Sequence, residues 1–192
     1  GIWGARVDGP ELQRALRIDL AQASDYFPND VVELRSLLTG DIDLPVKATP
    51  GFGARPELWM LGSSLFGAQL AAKLGMPYAF AAHFAPDHLD AALELYRRDF
   101  QPSDTLDKPY GMVAMNVFAA ETNEEAQMLA SSQQQSFVAL RSGNPGKLQP
   151  PIRDYLSQLP APHQAMLAHV GQASAGGTRS HVAEQISQFA AR

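Results

Sequence analysis

A Gly-Ser-Ser turn is the part of this sequence whose residue types and spacing could do chemistry. Gly62, Ser63 and Ser64 follow a short apolar run and precede a helical pattern that ends at Gly75. The turn is therefore expected at a helix N-terminus, where unpaired backbone N–H groups and the positive end of the helix dipole favour an anion such as phosphate. Because serine also caps helices that bind nothing, a plain helix cap and a phosphate site are both open from these residues alone.

The elements that would position this turn are a strand, a helix and a second strand in close succession. The apolar run over residues 58–61 predicts the first strand, and residues 78–80 predict the second. Between them Phe66, Leu70 and Leu74 recur every four residues, which predicts a helix. This order is typical of a βαβ unit, in which a helix connects two parallel strands.

Similar patterns predict further elements and make the chain α/β. Helices are predicted over residues 10–26, 28–39, 87–99, 122–140, 152–159, 162–169 and 178–189. A strand is predicted over residues 110–119, and the nearly continuous apolar run there is typical of a strand buried on both faces. Residues 41–56 and 142–151 are predicted to be loops, and residues 171–177 a flexible segment.

Composition excludes several classes of function. The net charge of −5 is spread along the 192 residues, so no basic surface for nucleic acid is predicted. No apolar run reaches the roughly 20 residues of a membrane-spanning helix. With no cysteine there is no disulfide, thiolate metal site or thiol nucleophile, and no histidine spacing indicates a metal. We expect one domain over residues 1–192, with apolar material for one core, in the cytoplasm.

Several phrases of the sequence resemble the bacterial-luciferase-like family of flavin-dependent monooxygenases. The phrase W-x-L-G-S-S, then a helix of small residues and L-G-x-P-Y-A-F-A, recurs in that family and stands here at residues 59–81. The likeness continues through H-F-A-P at residues 83–86, F-Q-P-S at 100–103 and E-T-x-E-E-A from Glu121. It covers most of residues 40–192.

This resemblance implies a TIM-type (β/α)8 barrel, present here in part. A complete barrel takes about 250 residues, whereas the sequence offers four or five strand candidates. By the resemblance, the first barrel strands would lie before residue 1 and the last strand beyond Arg192. The chain is thus expected to form the middle and later part of a barrel.

The resemblance also implies a site for the phosphate of flavin mononucleotide (FMN). Ser63, with Gly62 and Ser64 beside it, matches the turn whose serine binds that phosphate in the family. Arg6 is the candidate for the family's phosphate-pairing arginine, although the phrase around it departs from the family pattern G-R-A-x-G. An exposed surface arginine is the alternative for Arg6.

His83 is the candidate catalytic residue. It follows the strand predicted from Tyr78, and the carboxyl ends of barrel strands are where such enzymes place active-site groups. A histidine there could hydrogen-bond the flavin or a substrate, or act as an acid or base near neutral pH. Packing within a loop is the alternative.

The implied function is a monooxygenase that uses reduced FMN and O2 to oxidise a small organic substrate. A separate flavin reductase as partner, and a homodimer, are implied with it. A deazaflavin (F420)-dependent oxidoreductase and a non-catalytic flavin-binding protein are alternatives. A barrel enzyme acting on a sugar phosphate would use the same turn, but it should have carboxylates or a lysine at strand ends, and none follows Leu61, Ala82 or Ala119.

Overall fold

The computed structural model describes residues 20–41 and 45–191. The candidate Arg6 and the first part of the helix predicted from residue 10 lie outside the described residues. The chain divides into two compact units, residues 1–79 with 91–112 and residues 80–90 with 113–192. A single domain over residues 1–192 stays a prediction.

The first unit combines helices with a three-stranded sheet. Its helices are α1 (Leu20–Thr39), α2 (Leu65–Leu74) and α3 (Leu89–Asp99). The first two residues of α3 belong to the second unit. The sheet has the order β1 (Met60–Gly62), β2 (Tyr78–Phe80) and β3 (Gly111–Val113). The last residues of β2 and β3 belong to the second unit.

The second unit is built on a pair of parallel strands. Its elements are β4 (Asn116–Ala119), α4 (Asn123–Arg141), a 3-10 turn (Tyr155–Gln158), α5 (Ala161–Val170), a second 3-10 turn (Gly171–Ala173), β5 (Ser174–Gly177) and α6 (Arg179–Ala190). Strands β4 and β5 are parallel, with Asn116 opposite Ser174 and Ala119 opposite Gly177. Its hydrophobic core contains Phe137 of α4 together with Leu167 and Val170 of α5.

The predicted strand, helix and strand around the Gly-Ser-Ser turn are confirmed as β1, α2 and β2. The N–H of Met60 donates to the carbonyl oxygen of Pro77 at 2.9 Å, which joins β1 to the start of β2. Helix α2 ends as predicted, at Gly75 with φ of 59°. Its buried face differs from the predicted one, because Phe66 is half exposed and the buried residues are mostly small: Gly67, Ala68, Leu70, Ala71 and Ala72.

Two tyrosines hold the first unit together behind this turn. Tyr78 and Tyr96 are fully buried, and their ring centroids are 5.4 Å apart. The hydroxyl of Tyr96 donates to the carbonyl oxygen of Met76 at 2.9 Å and accepts from the N–H of Tyr110 at 3.1 Å. Helix α3 is therefore fixed to the chain that enters β2 and to the chain that enters β3.

Two helix predictions need correction. The pattern predicted one helix ending near Tyr26 and another beginning at Pro28, but residues Leu20–Thr39 form a single helix with Pro28 inside it. Proline has no N–H and costs a helix one hydrogen bond, yet here the helix continues on both sides. The helix predicted over residues 152–159 is the shorter 3-10 turn Tyr155–Gln158.

The strand predicted over residues 110–119 is also wrong as a single buried strand. It is divided into β3 and β4, which belong to different sheets. Between them the N–H of Ala114 donates to the carbonyl oxygen of Phe80 and its own carbonyl accepts from His83, both at 3.0 Å. Met112 and Val117 are about half exposed, at 51% and 46%, because no described segment covers their side chains.

Residues 171–177, predicted to be flexible, form a short turn and strand β5. Alanine and glycine have little preference for strands, so the strand arises from its pairing with β4. The fold is α/β with helices and parallel strands, and the described strands close no barrel. None of the helices that the structure describes is apolar for long enough to cross a membrane.

Candidate phosphate site and the surroundings of His83

The Gly-Ser-Ser turn connects β1 directly to α2. Gly62 ends the strand, and Ser64 is the N-cap residue of the helix, with φ of −140° and ψ of 166°. The Ser64 hydroxyl does not cap the helix, and neither it nor the Ser63 hydroxyl bonds another described residue. A helix N-terminus leaves its first N–H groups unpaired. Both hydroxyls and these N–H groups are therefore free to bind an anion.

Tyr78 supports this turn from beneath. Its hydroxyl donates to the carbonyl oxygen of Ser64 at 3.2 Å. A Cβ placed on Gly62 would lie 4.0 Å from that hydroxyl, and one on Gly67 would lie 3.6 Å from the ring. Burial raises the pKa of Tyr78 well above its ordinary value, so the hydroxyl remains a neutral donor at physiological pH.

The turn fits a phosphate group by the chemistry of its donors. Phosphate oxygens accept hydrogen bonds, and the two serine hydroxyls and the first N–H groups of the helix can donate to them. Neither hydroxyl bonds another described residue. Ser64 is exposed and Ser63 is partly buried, so a ligand can reach both. The ten residues of α2 supply the dipole that favours a negative charge at this end.

His83, in the second unit, is held by its backbone. Its N–H donates to the carbonyl oxygen of Ala114 at 3.0 Å, and its carbonyl oxygen accepts from the side-chain amide of Asn116 at 3.3 Å. The imidazole itself has a buried Nδ1 with no hydrogen-bond partner. Among the described residues, His83 is therefore held by hydrogen bonds of its main chain and by none of its ring.

Asn116 bonds the carbonyl oxygen of the candidate His83 and was not singled out from the sequence. Its Oδ1 accepts from Nε2 of Gln133 at 2.7 Å, and its Nδ2 lies 3.4 Å from the hydroxyl oxygen of Ser174. One side chain thus links the segment of His83 to α4 and to β5. The available signal was a single amide in the otherwise apolar run of residues 110–119.

Beside this network the second unit has a cavity of about 520 Å³. Asn116, Gln133 and Ser174 form part of its polar wall, and Phe118 and Phe137 part of its apolar wall. Asn116 bonds both Gln133 and Ser174, so a single hydrogen-bond network connects this wall of the cavity to the carbonyl oxygen of His83.

Comparison with known proteins agrees with these observations. The family model of luciferase-like monooxygenases matches residues 34–192. The chain belongs to the luciferase-like monooxygenase family. A protein of Escherichia coli K12 named "Luciferase-like monooxygenase" is 50% identical over 155 residues, which are 80% of this chain and 46% of that protein. The uncharacterized protein YvbT of Bacillus subtilis is 46% identical over 158 residues, 81% of this chain and 46% of its own.

Solved structures have a similar fold. The crystal structure of apo-MsnO8 has a TM-score of 0.73 at 27% identity, and the match covers 96% of this chain and 56% of that one. The monooxygenase RslO1 from Streptomyces bottropensis shares the fold, with a TM-score of 0.66 at 19% identity over 96% of this chain and 55% of that one. This luciferase-like chain spans about half the length of the curated relatives it matches.

The structure distributes the predicted site residues of this luciferase-like chain over both units. Gly62, Ser63 and Ser64 form one turn in the first unit, whereas His83 lies in the second. No group of histidines and carboxylates in the described residues could hold a metal ion.

Proposed function

We propose that this luciferase-like chain is part of a flavin-dependent monooxygenase that uses reduced FMN and O2 to oxidise a small organic substrate. The observation that carries the proposal is the turn of Gly62, Ser63 and Ser64, whose hydroxyls bond no other described residue and stand at the start of α2. Membership of the luciferase-like family supports the reaction class.

The residues have distinct roles in this proposal. Ser63, Ser64 and the first N–H groups of α2 bind the FMN phosphate, and Tyr78 keeps the turn in place through its bond to Ser64. His83 bonds the flavin or the substrate. When bound, reduced FMN supplies the two electrons with which O2 places one oxygen atom in the substrate and the other in water.

Further parts of the proposal concern the whole protein. We infer a TIM-type barrel, which the α/β order and the likeness to apo-MsnO8 support. A separate reductase for the flavin, a homodimer and a cytoplasmic location are proposed with it, and Arg6 is proposed as a second phosphate ligand. A deazaflavin (F420) oxidoreductase and a non-catalytic flavin-binding protein are the alternatives.

The test is a titration of the chain with FMN and with riboflavin, which lacks the phosphate. Binding is followed by flavin fluorescence and absorbance, for oxidised and reduced forms, in wild type and Ser63→Ala. The matched control is Ser187→Ala, since Ser187 is an exposed serine whose hydroxyl bonds only its own helix. We expect saturable FMN binding, tighter for the reduced form, and a loss of about 1–3 kcal/mol in Ser63→Ala alone.

The comparison with riboflavin identifies the contact. If Ser63 binds the phosphate, Ser63→Ala weakens FMN but leaves the weaker riboflavin binding unchanged. Equal losses for both flavins would contradict a phosphate contact. Preferential binding of F420 would favour the deazaflavin alternative, and binding without O2-dependent product formation in the presence of candidate substrates would favour the non-catalytic one. No flavin binding by a folded chain would remove the proposal for this polypeptide.

A further inference from the structure

The imidazole of His83 contains an unpaired polar atom inside the protein. Among the described residues, its Nδ1 is the buried side-chain nitrogen or oxygen without a hydrogen-bond partner. Buried polar groups are nearly always paired, so such an exception needs a physical reason. The other ring nitrogen, Nε2, is not buried in this way and bonds no described residue.

The position of the proton on the ring follows from this asymmetry. A neutral imidazole carries one N–H donor and one acceptor lone pair, on different nitrogens. A proton on Nδ1 would place an N–H in the interior with nothing to accept it, and buried N–H groups without acceptors are rarer than unpaired acceptors. A proton on Nε2 can instead bond water or a ligand. The arrangement therefore favours the tautomer with Nε2–H and a bare Nδ1.

No side-chain hydrogen bond among the described residues holds the ring, and the two hydrogen bonds of His83 are made by its main chain. One contact is the N–H of His83 on the carbonyl of Ala114, and the other is the amide of Asn116 on the carbonyl of His83. The Asn116 amide is itself oriented, because its Oδ1 accepts from Gln133 at 2.7 Å. If the Asn116 amide were flipped, an oxygen would face the His83 carbonyl and an N–H would face the Gln133 donor.

We propose that Asn116 is a positioning residue that holds His83 with Nδ1 bare in the interior and Nε2–H presented as a hydrogen-bond donor to an acceptor atom of the ligand. His83 then acts as a hydrogen-bond donor through Nε2 and not as a general base, because the nitrogen with the free lone pair is the enclosed one. This inference rests on the proposed function only for the identity of the ligand; the tautomer is a property of the free chain.

The first experiment needs no flavin. Nitrogen NMR of the chain labelled in its five histidines distinguishes a protonated from a bare ring nitrogen, and the spectrum of His83→Gln assigns the signals of His83. The expected result at neutral pH is a bare Nδ1 and a protonated Nε2. A protonated Nδ1, in either the neutral or the cationic ring, would overturn the inference.

Variants then test the role of Asn116. Asn116→Asp keeps the acceptor for Gln133 but replaces the donor to His83 with an oxygen. The matched control is Asn144→Asp, the same change at an exposed amide that bonds the carbonyl of Ser142. We expect Asn116→Asp to change the His83 signals toward a mixture of tautomers and to leave the other histidines unchanged, whereas Asn144→Asp changes none of them. Unchanged His83 signals in a folded Asn116→Asp chain would disprove the positioning role.

Gln133→Met provides a milder change in case Asn116→Asp does not fold. It removes the bond that orients the Asn116 amide and leaves Asn116 in place, so the same shift toward mixed tautomers is expected to a smaller extent. If Gln133→Met leaves the His83 signals as in wild type, the amide orientation does not control the ring and the proposed mechanism fails.

Ligand binding separates this inference from the proposed function. Glutamine can place an N–H near the position of histidine Nε2, whereas asparagine reaches only the position of Nδ1. His83→Gln should therefore keep ligand affinity within about threefold, and His83→Asn should weaken it about tenfold, the size expected for one lost hydrogen bond. Equal losses in both variants would contradict donation from Nε2. A chain that binds no flavin but shows the bare Nδ1 would refute the proposed function and leave the tautomer established.

Discussion

The hydroxyl of Tyr78 donates a hydrogen bond to the carbonyl oxygen of Ser64 at 3.2 Å. Tyr78 begins β2, and Ser64 is the N-cap of α2, so the bond closes the βαβ unit on the side of the candidate phosphate site. The side chain that makes it is buried. A residue in the core thus fixes the backbone from which the free serine hydroxyls project.

Removing this hydroxyl should destabilise the first unit. We expect Tyr78→Phe to lower the free energy of unfolding by about 1 kcal/mol, the net value of one intramolecular hydrogen bond, and to weaken FMN binding slightly. Urea unfolding followed by circular dichroism measures the first effect. Tyr110→Phe is the control, because Tyr110 is 55% exposed and its hydroxyl bonds no described residue. Equal losses in the two variants would mean that the Ser64 contact contributes nothing.

Alkaline pH should destabilise the chain through the same tyrosine. Burial raises the pKa of Tyr78, and burial also raises the pKa of Tyr96 against an opposing backbone bond from Tyr110. The folded state therefore holds these protons more tightly than the unfolded chain, in which tyrosine has a pKa near 10. The stabilising contribution of these two protonated hydroxyls is therefore fully present below the pKa of tyrosine in the unfolded chain, and it is lost as the pH rises above that value. Thermal unfolding between pH 8 and 11 should show this fall, and Tyr78→Phe should make it shallower; an unchanged slope would assign the effect to other groups.

Gly75 should tolerate no side chain. It takes φ of 59°, and a Cβ there would lie 2.6 Å from the carbonyl oxygen of Gln101 and 2.6 Å from Cβ of Ser103. We expect Gly75→Ala to cost about 3 kcal/mol or more in urea unfolding, because backbone strain acts together with clashes against the carbonyl oxygen of Gln101 and Cβ of Ser103. Gly53→Ala is the matched control. Gly53 has φ of 77° with open space around it, so strain alone should cost about 1 kcal/mol. Similar costs at both positions would show that the clash is relieved.

The sequence could predict elements whose signals are local. The turn at Gly62, the helix stop at Gly75 and the helix start at Thr122 are each specified by a few adjacent residues, and all three are confirmed. Strand β5 could not be predicted, because the sequence Ser174–Gly177 has no strand preference and forms a strand through its partner β4. The division of residues 110–119 has the same origin, since Ala114 bonds Phe80 and His83 from distant parts of the sequence.

The residues of the candidate site also differ in whether adjacent sequence could predict them. Ser63 and Ser64 could be found from sequence because the phosphate site is a property of one turn and the helix after it. His83 could be located after a strand, but its surroundings could not, since Asn116, Gln133 and Ser174 meet only in the folded second unit. Polar networks between elements have no spacing rule in the sequence.

Two threonines at helix starts provide the last prediction, since they occupy the same position but differ in their bonds. Thr122 precedes α4, and its hydroxyl oxygen accepts from the N–H of Glu125 at 3.1 Å. Thr178 precedes α6 but does not cap it; its hydroxyl lies 3.3 Å from that of Ser180, and its N–H donates to Oδ1 of Asn123.

Thr122→Ala should therefore cost about 1 kcal/mol, the usual value of an N-cap, and Thr178→Ala only a few tenths. Both helices lie in the second unit, so the urea midpoints of the two variants are directly comparable. Thr122→Ser restores a hydroxyl at the cap and should recover most of the loss. If Thr178→Ala costs as much as Thr122→Ala, its hydroxyl supports the helix in solution, and the difference between the two helix starts does not hold.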